Sequence, residues 1–520
     1  MSMDIVDHFS EQTATYKTWI ETSTSIGYGI QPCRKIELSD LRSKSQGRGI
    51  IAIEDIQEGE ILFTISRESI LNVQTGSLGK LQNGENVEIL TQEFTPWESL
   101  ILTLIYEFQL GLKSPWVGYL QVLPLELNSL IYWENYDLEK LRPSLVIDRI
   151  GKNDALEMYA KLIPSAWERL GVKAEEVGDV SWELFRKVAS LIMAYSFDVE
   201  DPSEAKQEDE DEEDFGSDDE EEEEDTNTVK SMCPHADILN SNSELNNAQL
   251  TYPDPSDPED AQYKGLLIMK AIKPIKAGEQ VYNIYGEHGN SELLRRYGYV
   301  EQNADGDCMF DFGEVSLSLI QSQLVQHFSA VCKTDSSQLE KLLNTVLTNL
   351  IPETTVEEFE AEQVVQETYE CPYTGEIQAE IQVLLQSLVI ILQTPDITKY
   401  EHEELSRYVD RVLKKCYQLI EAQTLTKAAK QLWENIVNAR LSQYPSFAFR
   451  ETHDDSSSSQ NGKLAEVVLR GEVKSLQIGL ESFSKGFKTI DDEKLLRNIL
   501  KKREQQGGKQ GNKVVKKAKK

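Results

Sequence analysis

The chain has 520 residues and a formal net charge of −36, with 39% hydrophobic and 8% aromatic residues. This length predicts roughly two to four domains, and the apolar content is sufficient for a packed core. The acidic balance argues against direct nucleic-acid binding, and no apolar run of about 18 residues predicts a membrane span.

The six cysteines are far apart in the sequence, and no pair has the short spacing of a zinc knuckle or suggests a disulfide framework. We therefore expect no metal site and a reducing compartment. The N-terminal stretch MSMDIVDHFSEQTATYK is polar, so we expect no secretory signal.

The first predicted elements are short strands within residues 48–73, where apolar runs flank the turn-like DIQEGE. A helix is predicted over residues 95–111, because apolar residues recur there at helical spacing from Trp97 to Phe108. Gly111 provides a C-terminal stop for this helix. Strand-like sequence returns in GLLIMKAIKPIKAGEQVYNIYG at 264–285.

Two segments have compositions that favour disorder. Residues Glu208 to Asp225 contain 15 acidic and no basic residues, so we expect a disordered acidic loop at about 201–230, inserted into a domain. Residues 501–520 contain nine basic residues and one acidic residue, and the chain outside this tail and the acidic loop still has a strongly negative net charge. The basic composition of this tail indicates either a nuclear-import signal or a segment that only increases solubility.

After position 310 the apolar spacing becomes helical in segments such as SLSLIQSQLVQHFSAV and IQAEIQVLLQSLVIIL. The sequence therefore predicts an α+β fold, with β-rich segments and helical insertions followed by an all-helical domain.

The sequence contains no G-x-G-x-x-G, no P-loop, no group with metal-ligand spacing and no G-x-S-x-G elbow. Four short stretches remain as candidate site segments: Gln46-Gly47-Arg48-Gly49, AYSF at 194–197, PHADILNSNSELNNAQL at 234–250, and GEQVYNIYGEHGNSELLRRYGYV at 278–300. The glycines of the first stretch would let backbone amides approach a ligand closely. The last stretch gathers four tyrosines around one histidine, with no cysteine or aspartate.

In this order the four stretches resemble the SET-domain protein-lysine methyltransferases. The resemblance covers residues 23–485 and is to the branch of the Rubisco large-subunit methyltransferase and the SET-domain-containing protein 6 family. Within it, the sequence is most similar to fungal ribosomal-protein lysine methyltransferases. WVGYLQVLPLELNSLIYW at 116–133, YPS at 444–446 and LRGEVKSL at 469–476 also resemble this branch.

The resemblance implies a SET domain at 23–300, with a helical insertion at about 90–190 and a knot-like crossing of ADILN with GEQVYNIY. A helical substrate-binding domain at 301–490 and the tail at 501–520 would complete the chain. The implied cofactor is S-adenosyl-L-methionine, bound by residues of all four stretches: Gln46, Gly47, Arg48, Tyr195, Asp237, Asn240, Ser241 and Tyr285.

Tyr285 is implied as the catalytic tyrosine, and Tyr297 and Tyr299 as walls of the channel for the substrate lysine. Phenols suit this reaction because an apolar channel disfavours the lysine cation while the rings stabilise the positive charge spread during transfer, whereas carboxylates would keep the ammonium charged. His288 is then expected to be a surface turn residue rather than a base. Tyr299, where many relatives have phenylalanine, predicts monomethyl-lysine as the main product.

Two positions depart from the family pattern. Ser241 stands where the family often has histidine, and Tyr195 where it often has arginine. Either Ser241 serves through its backbone and the enzyme is active, or the site is degenerate and the chain only binds.

The expected substrate is a basic protein, for which a ribosomal protein of the large subunit is preferred over a histone. The alternative to an enzyme is a non-catalytic acidic escort protein that binds basic client proteins. We expect a monomer in the nucleus, and also in the cytoplasm, that contacts neither nucleic acid nor membrane.

Overall fold

The computed structural model describes residues 7–25, 29–124, 126–201, 228–253, 260–303, 306–332, 336–350, 364–450, 459–483 and 485–497. The chain divides into two compact units. Unit 1 comprises residues 1–133, 150–287 and 292–301, and unit 2 comprises residues 134–149, 288–291 and 302–520. Residues 134–149 lie within the expected helical insertion, yet they group with the C-terminal part of the chain.

The helices, in chain order, are α1 His8–Ser25, α2 Glu85–Glu93, α3 Pro96–Leu110, α4 Val117–Leu120, α5 Asn135–Leu138, α6 Lys152–Arg169, α7 Ala174–Val177, α8 Trp182–Tyr195, α9 Asn290–Tyr297, α10 Leu317–Cys332, α11 Ser336–Leu350, α12 Ala379–Leu392, α13 His402–Glu421, α14 Lys427–Leu441 and α15 Gln460–Ser482. The strands are β1 Ile30–Pro32, β2 Ile36–Asp40, β3 Arg48–Ala52, β4 Ile61–Ser66, β5 Ser196–Glu200, β6 Thr228–Met232, β7 Asn240–Ser241, β8 Ala248–Thr251, β9 Leu266–Ala271, β10 Gln280–Asn283, β11 Phe312–Ser316, β12 Thr368–Pro372, β13 Thr424–Thr426 and β14 Lys488–Ile490.

Unit 1 is built on two four-stranded sheets, with strand orders β1-β4-β9-β8 and β2-β3-β10-β7. The strands predicted within residues 48–73 and 264–285 are confirmed as β3, β4, β9 and β10. Their apolar residues enter one hydrophobic core, in which Ile50, Phe63 and Leu267 are fully buried. Because β3 and β10 are adjacent in the second sheet, two of the candidate site stretches lie side by side.

The helix predicted over residues 95–111 is confirmed as α3. Thr95 and Glu98 form a capping box at its N-terminus, Pro96 occupies the first turn, and Gly111 caps the C-terminus. Burial on almost every side explains its high apolar content, because it packs inside unit 1.

The N-terminal helix α1 was not predicted from the sequence. Tyr16 and Ile20 are buried in the core of unit 1, while Trp19 packs against Gly118 of α4. A Cβ at Gly118 would lie only 2.4 Å from the Cβ of Trp19, so glycine permits this close approach. Helix α1 is therefore an integral part of unit 1.

The expected acidic loop lies largely outside the described residues, as does the basic tail. The strands that flank residues 202–227 pair with each other as an antiparallel ladder from Ser196 opposite Met232 to Glu200 opposite Thr228. The chain therefore leaves one strand of unit 1 and returns on its neighbour.

Unit 2 has a core contributed mainly by α10 to α15, with Trp433 and Tyr408 almost fully buried. The expectation that this part is helical throughout was wrong, because β11 pairs with β12 and β13 pairs with β14. These strands are three to five residues long, and pairing with a distant segment, rather than local periodicity, determines them.

The expectation that His288 is a surface residue was also wrong, since it is 6% exposed within unit 2. Its carbonyl faces the thiol of Cys308, and Gly289 lies so close to Phe310 that a Cβ would be 2.8 Å from the Phe310 carbonyl oxygen. Next in the chain, the backbone N–H of Asn290 donates to the carboxylate of Asp311 at 2.7 Å. Packing by residues 20 positions later in the chain thus buries this turn.

Among the described residues, five cysteines form no disulfide bond: Cys33, Cys233, Cys308, Cys371 and Cys416. The same part of the chain contains no group of three or more histidine, cysteine and acidic side chains that could hold a metal ion. No helix within the described ranges is long and apolar enough to cross a membrane.

Candidate active site

Three of the candidate stretches meet where strands β3, β10 and β7 lie side by side. Asn240 on β7 pairs in parallel with Tyr282 on β10, so the expected crossing of ADILN with GEQVYNIY is confirmed. The side-chain amide of Asn240 donates to the carbonyl oxygen of Arg48 on β3 at 3.0 Å. A Cβ at Gly49 would lie 2.8 Å from this amide, so the crossing requires a glycine there.

Tyr285, Tyr297 and Tyr299 come together as a group, which we call the tyrosine cluster. The Tyr285 ring centroid lies 5.0 Å from that of Tyr297 and 6.5 Å from that of Tyr299, and the last two are 6.2 Å apart. The Tyr285 hydroxyl donates to the carbonyl oxygen of Leu239 at 2.7 Å, immediately before Asn240. The Tyr297 hydroxyl donates to the Tyr285 carbonyl oxygen at 3.3 Å.

The phenols of this cluster are poor bases. Burial raises the pKa of Tyr285 well above its usual value. The pKa of Tyr299 is also raised, by burial and by the negative charge of Glu301. Both hydroxyls therefore remain protonated at neutral pH, where they can orient a ligand by hydrogen bonding but cannot accept a proton.

Tyr195 lies at the C-terminal end of α8, where the helix passes directly into β5. Burial, and then the negative charge of Asp237, raise its pKa above the usual value. Tyr195 in turn contributes to the raised pKa of Tyr285. The AYSF stretch is thus brought within electrostatic range of the other site segments.

The loop before β3 leaves open space at its glycine. Gly47 has a φ of +61°, and a Cβ there would meet no atom within 4 Å. The amide group of Gln46 donates to the Tyr282 hydroxyl at 3.4 Å, whereas its buried Oε1 has no hydrogen-bond partner. This loop therefore presents accessible backbone and an unused acceptor next to β10.

The side chain of Arg48 has a structural role that was not predicted from the sequence. Its guanidinium donates to the Thr13 hydroxyl at 3.0 Å and to the carbonyl oxygens of Val122 and Phe9 at 3.0 and 3.1 Å. It also lies 3.9 Å from the centroid of the Phe9 ring. Arg48 thus fixes α1 beside the candidate site, and its backbone is the part that accepts from Asn240.

Asp237 lies in a buried polar network with residues from α1 and α4. Its Oδ2 accepts from the Tyr119 hydroxyl at 2.5 Å, and its Oδ1 is buried without a hydrogen-bond partner. Burial raises the pKa of Asp237 to about 7, against the effect of the hydrogen bond from Tyr119. Tyr16 lies nearby, with its hydroxyl 3.5 Å from Nδ1 of His235. Neither tyrosine was singled out from the sequence, although Tyr119 lies in the WVGYLQVLP stretch that carried part of the resemblance.

Ser241 connects the crossing to the tyrosine cluster. Its hydroxyl accepts from the backbone N–H of Tyr285 at 3.4 Å and donates to Glu301 at 3.3 Å. Glu301 was missed by sequence reasoning, although an acidic residue two positions after Tyr-Gly-Tyr was the available signal. The departure from histidine at Ser241 therefore leaves a side chain with defined partners on both sides.

Comparison with known proteins identifies the family. A family model described as the SET domain matches residues 47–286. Ribosomal lysine N-methyltransferase 4 of Saccharomyces cerevisiae is 37% identical over 508 residues, which span 96% of this chain and 97% of that protein. N-lysine methyltransferase SETD6 of Homo sapiens is 32% identical over 266 residues, about half of each protein: 50% of this chain and 49% of the relative.

Among solved structures, the SET domain of LSMT bound to lysine and AdoHcy matches with a TM-score of 0.60 at 17% identity, covering 92% of both chains. Rubisco LSMT bound to AdoMet matches with a TM-score of 0.58 at 18% identity, covering 91% of this chain and 92% of that chain. These matches confirm the predicted fold, and the chain belongs to the SET-domain family of protein-lysine N-methyltransferases.

Proposed function

We propose that this methyltransferase uses S-adenosylmethionine to monomethylate a lysine of a large-subunit ribosomal protein. When bound, this cofactor supplies an electrophilic methyl group carried on a sulfonium ion. The binding residues would be those around the crossing, with Gln46, Gly47, Asp237 and Asn240 as the principal contacts and Tyr285 at the boundary with the lysine.

The residues present fit this cofactor. Its α-ammonium and ribose hydroxyl groups are hydrogen-bond donors, and Gln46 Oε1 and Asp237 Oδ1 are buried acceptors without partners. Gly47 leaves open space where a Cβ would lie, and its backbone is in the left-handed region that other residues adopt only with strain. Acceptors of this kind and an accessible backbone suit a ligand that is rich in donors.

The observation that carries the chemistry is the tyrosine cluster, in which aromatic rings and hydroxyls surround the end of β10. A lysine amine has a pKa near 10.4, so its neutral form costs roughly 4 kcal/mol at pH 7.4. Enclosure away from water disfavours the ammonium ion, lowers the pKa of the amine and so reduces this cost. Tyr285 and Tyr299, both held protonated, can align the neutral amine but cannot deprotonate it. The proton would therefore leave to water before the amine is enclosed.

The near-full-length similarity to a yeast protein named as a ribosomal lysine methyltransferase supports the substrate class. It extends through unit 2, whereas the similarity to SETD6 covers about half of the chain. The net charge of −36 also suits a basic partner. Membership in this enzyme family does not favour a purely non-catalytic escort.

Radiolabelled methyl transfer into extract from cells that lack the protein tests this proposal. We expect one main labelled band, identified by mass spectrometry as a large-subunit ribosomal protein carrying monomethyl-lysine. Labelling that is confined to histones, or the absence of any labelled lysine, would reject the substrate class or the activity, respectively. Intact-mass analysis of a saturated reaction separates monomethylated from trimethylated product.

A further inference from the structure

Glu301 is a buried carboxylate that follows Tyr299 by two residues and is 8% exposed. Its Oε1 accepts from the hydroxyls of Ser241 and Tyr299, each at 3.3 Å. Its Oε2 accepts from the backbone N–H of Ser243 at 2.9 Å. One carboxylate therefore links the tyrosine cluster to β7 and to the loop that follows it.

The carboxylate determines the direction of the hydrogen bond that Tyr299 makes. An ionised carboxylate can only accept, so Tyr299 must donate its single hydroxyl proton to Glu301. Any further partner of the Tyr299 oxygen must then be a donor. The Tyr285 oxygen can likewise only accept, because the Tyr285 hydroxyl donates its proton to the Leu239 carbonyl at 2.7 Å. Tyr285 and Tyr299 thus each present a hydroxyl oxygen that can only accept, and the Tyr297 hydroxyl likewise donates its proton, to the Tyr285 carbonyl at 3.3 Å.

The acceptor oxygens of Tyr285 and Tyr299 together match the two hydrogen-bond donors of an unmethylated amine. A neutral lysine amine has two N–H donors and one lone pair, so pairing both donors leaves the lone pair free for attack. After one methylation a single N–H remains, and one of the two oxygens would face a methyl group. An acceptor that loses its partner in a water-poor site is unfavourable.

We propose that Glu301 is a positioning residue that holds the Tyr299 hydroxyl as an acceptor for the unmethylated lysine amine. This inference rests on the proposed function. Replacement by glutamine would reverse the arrangement, because the Ser243 N–H requires the amide oxygen and so places the amide NH₂ beside Tyr299. The Tyr299 hydroxyl would then accept from residue 301 and turn its proton towards the amine lone pair.

A double-mutant cycle between Glu301→Gln and Tyr299→Phe tests this coupling. Glu301→Gln should lower kcat for the first methylation about tenfold while changing the cofactor Kd less than about twofold. In the Tyr299→Phe background, which has no hydroxyl to orient, the same substitution should change kcat by less than about twofold. A role limited to anchoring Ser243 would instead give the same loss in both backgrounds.

Glu107→Gln is the matched control. Glu107 is fully buried in unit 1. Like Glu301, it accepts from a backbone N–H, that of Ser77, and from a serine hydroxyl, that of Ser114. The Glu107→Gln variant should have a changed melting temperature and an unchanged kcat.

If Glu301→Gln melts below the assay temperature, Glu301→Met is assayed at a lower temperature in its place, and the same non-additivity with Tyr299→Phe is expected.

Additive losses, or an unchanged kcat in Glu301→Gln, would overturn the role of Glu301 while leaving the methyltransferase activity in place. An unmodified protein that transfers no methyl group to lysine would overturn the proposed function, and the inference with it.

Discussion

Replacing Tyr285 by phenylalanine removes one hydroxyl at the centre of the proposed active site and little volume. In the structure this hydroxyl donates to the Leu239 carbonyl at 2.7 Å, beside the strand crossing. If the hydroxyl oxygen also aligns the lysine amine, turnover should fall at least about 100-fold, which corresponds to about 2.7 kcal/mol of barrier.

The same substitution has a structural cost that must be separated from the catalytic one. Loss of one hydrogen bond to a backbone carbonyl costs about 0.5–1.5 kcal/mol of folding free energy. For a unit of this size each kcal/mol corresponds to about 2–4 °C in melting temperature. The variant should therefore remain folded at 25 °C and melt a few degrees lower, so instability alone cannot explain a 100-fold loss.

Tyr159→Phe provides the matched control. The Tyr159 hydroxyl donates to the Val180 carbonyl at 2.9 Å, also within unit 1 and in a half-buried setting, but outside the tyrosine cluster. It should show the same modest drop in melting temperature with unchanged turnover. Turnover is measured by single-turnover methylation of a lysine substrate, melting temperature by thermal unfolding, and cofactor binding by calorimetry. Turnover of Tyr285→Phe within threefold of the unmodified enzyme, or equal losses in the two variants, would refute the assignment.

Three further predictions concern the surroundings of the site. Asn240→Ala leaves the Arg48 carbonyl without its donor, so it should lower the melting temperature and weaken S-adenosylmethionine binding by about 1–3 kcal/mol; unchanged affinity in calorimetry would contradict this. Tyr299→Phe should shift the product from monomethyl-lysine towards dimethyl-lysine in intact-mass spectra, and predominantly trimethylated product from the unmodified enzyme would show that Tyr299 does not limit the reaction. Asp237 has a pKa raised by burial from 3.8 to about 7, so the folded state binds this proton more tightly and loses stability as pH rises across that interval. The melting temperature of Asp237→Asn relative to the unmodified protein should accordingly increase with pH there, and a constant difference would show that the carboxyl does not titrate in that range.

Local sequence was sufficient for elements whose determinants lie within a few residues. Helix α3 was predicted because its cap, its apolar spacing and its terminal glycine are all contained in residues 95–111. Strands β3 and β10 were visible as apolar runs beside turn residues. The four tyrosines of residues 278–300 were also visible in the sequence, and the resemblance to a known family implied their chemistry.

Only the tertiary structure decided which distant groups share a hydrogen bond. The guanidinium of Arg48 is held by Phe9 and Thr13, some 35–39 positions earlier in the chain, and no local pattern specifies that choice. Glu301 meets Ser241 across 60 positions, and the sequence shows it merely as one acid among many. The burial of His288 was missed for the same reason.

The sequence by itself determined the family and the elements with local signals, because motif residues and helical or strand periodicity are properties of short segments. The tertiary structure decided the short strands of unit 2, the placement of α1 and the partner of each buried polar group. Those features depend on pairing across long stretches of chain, where the free energy comes from contacts that form only once the core has assembled.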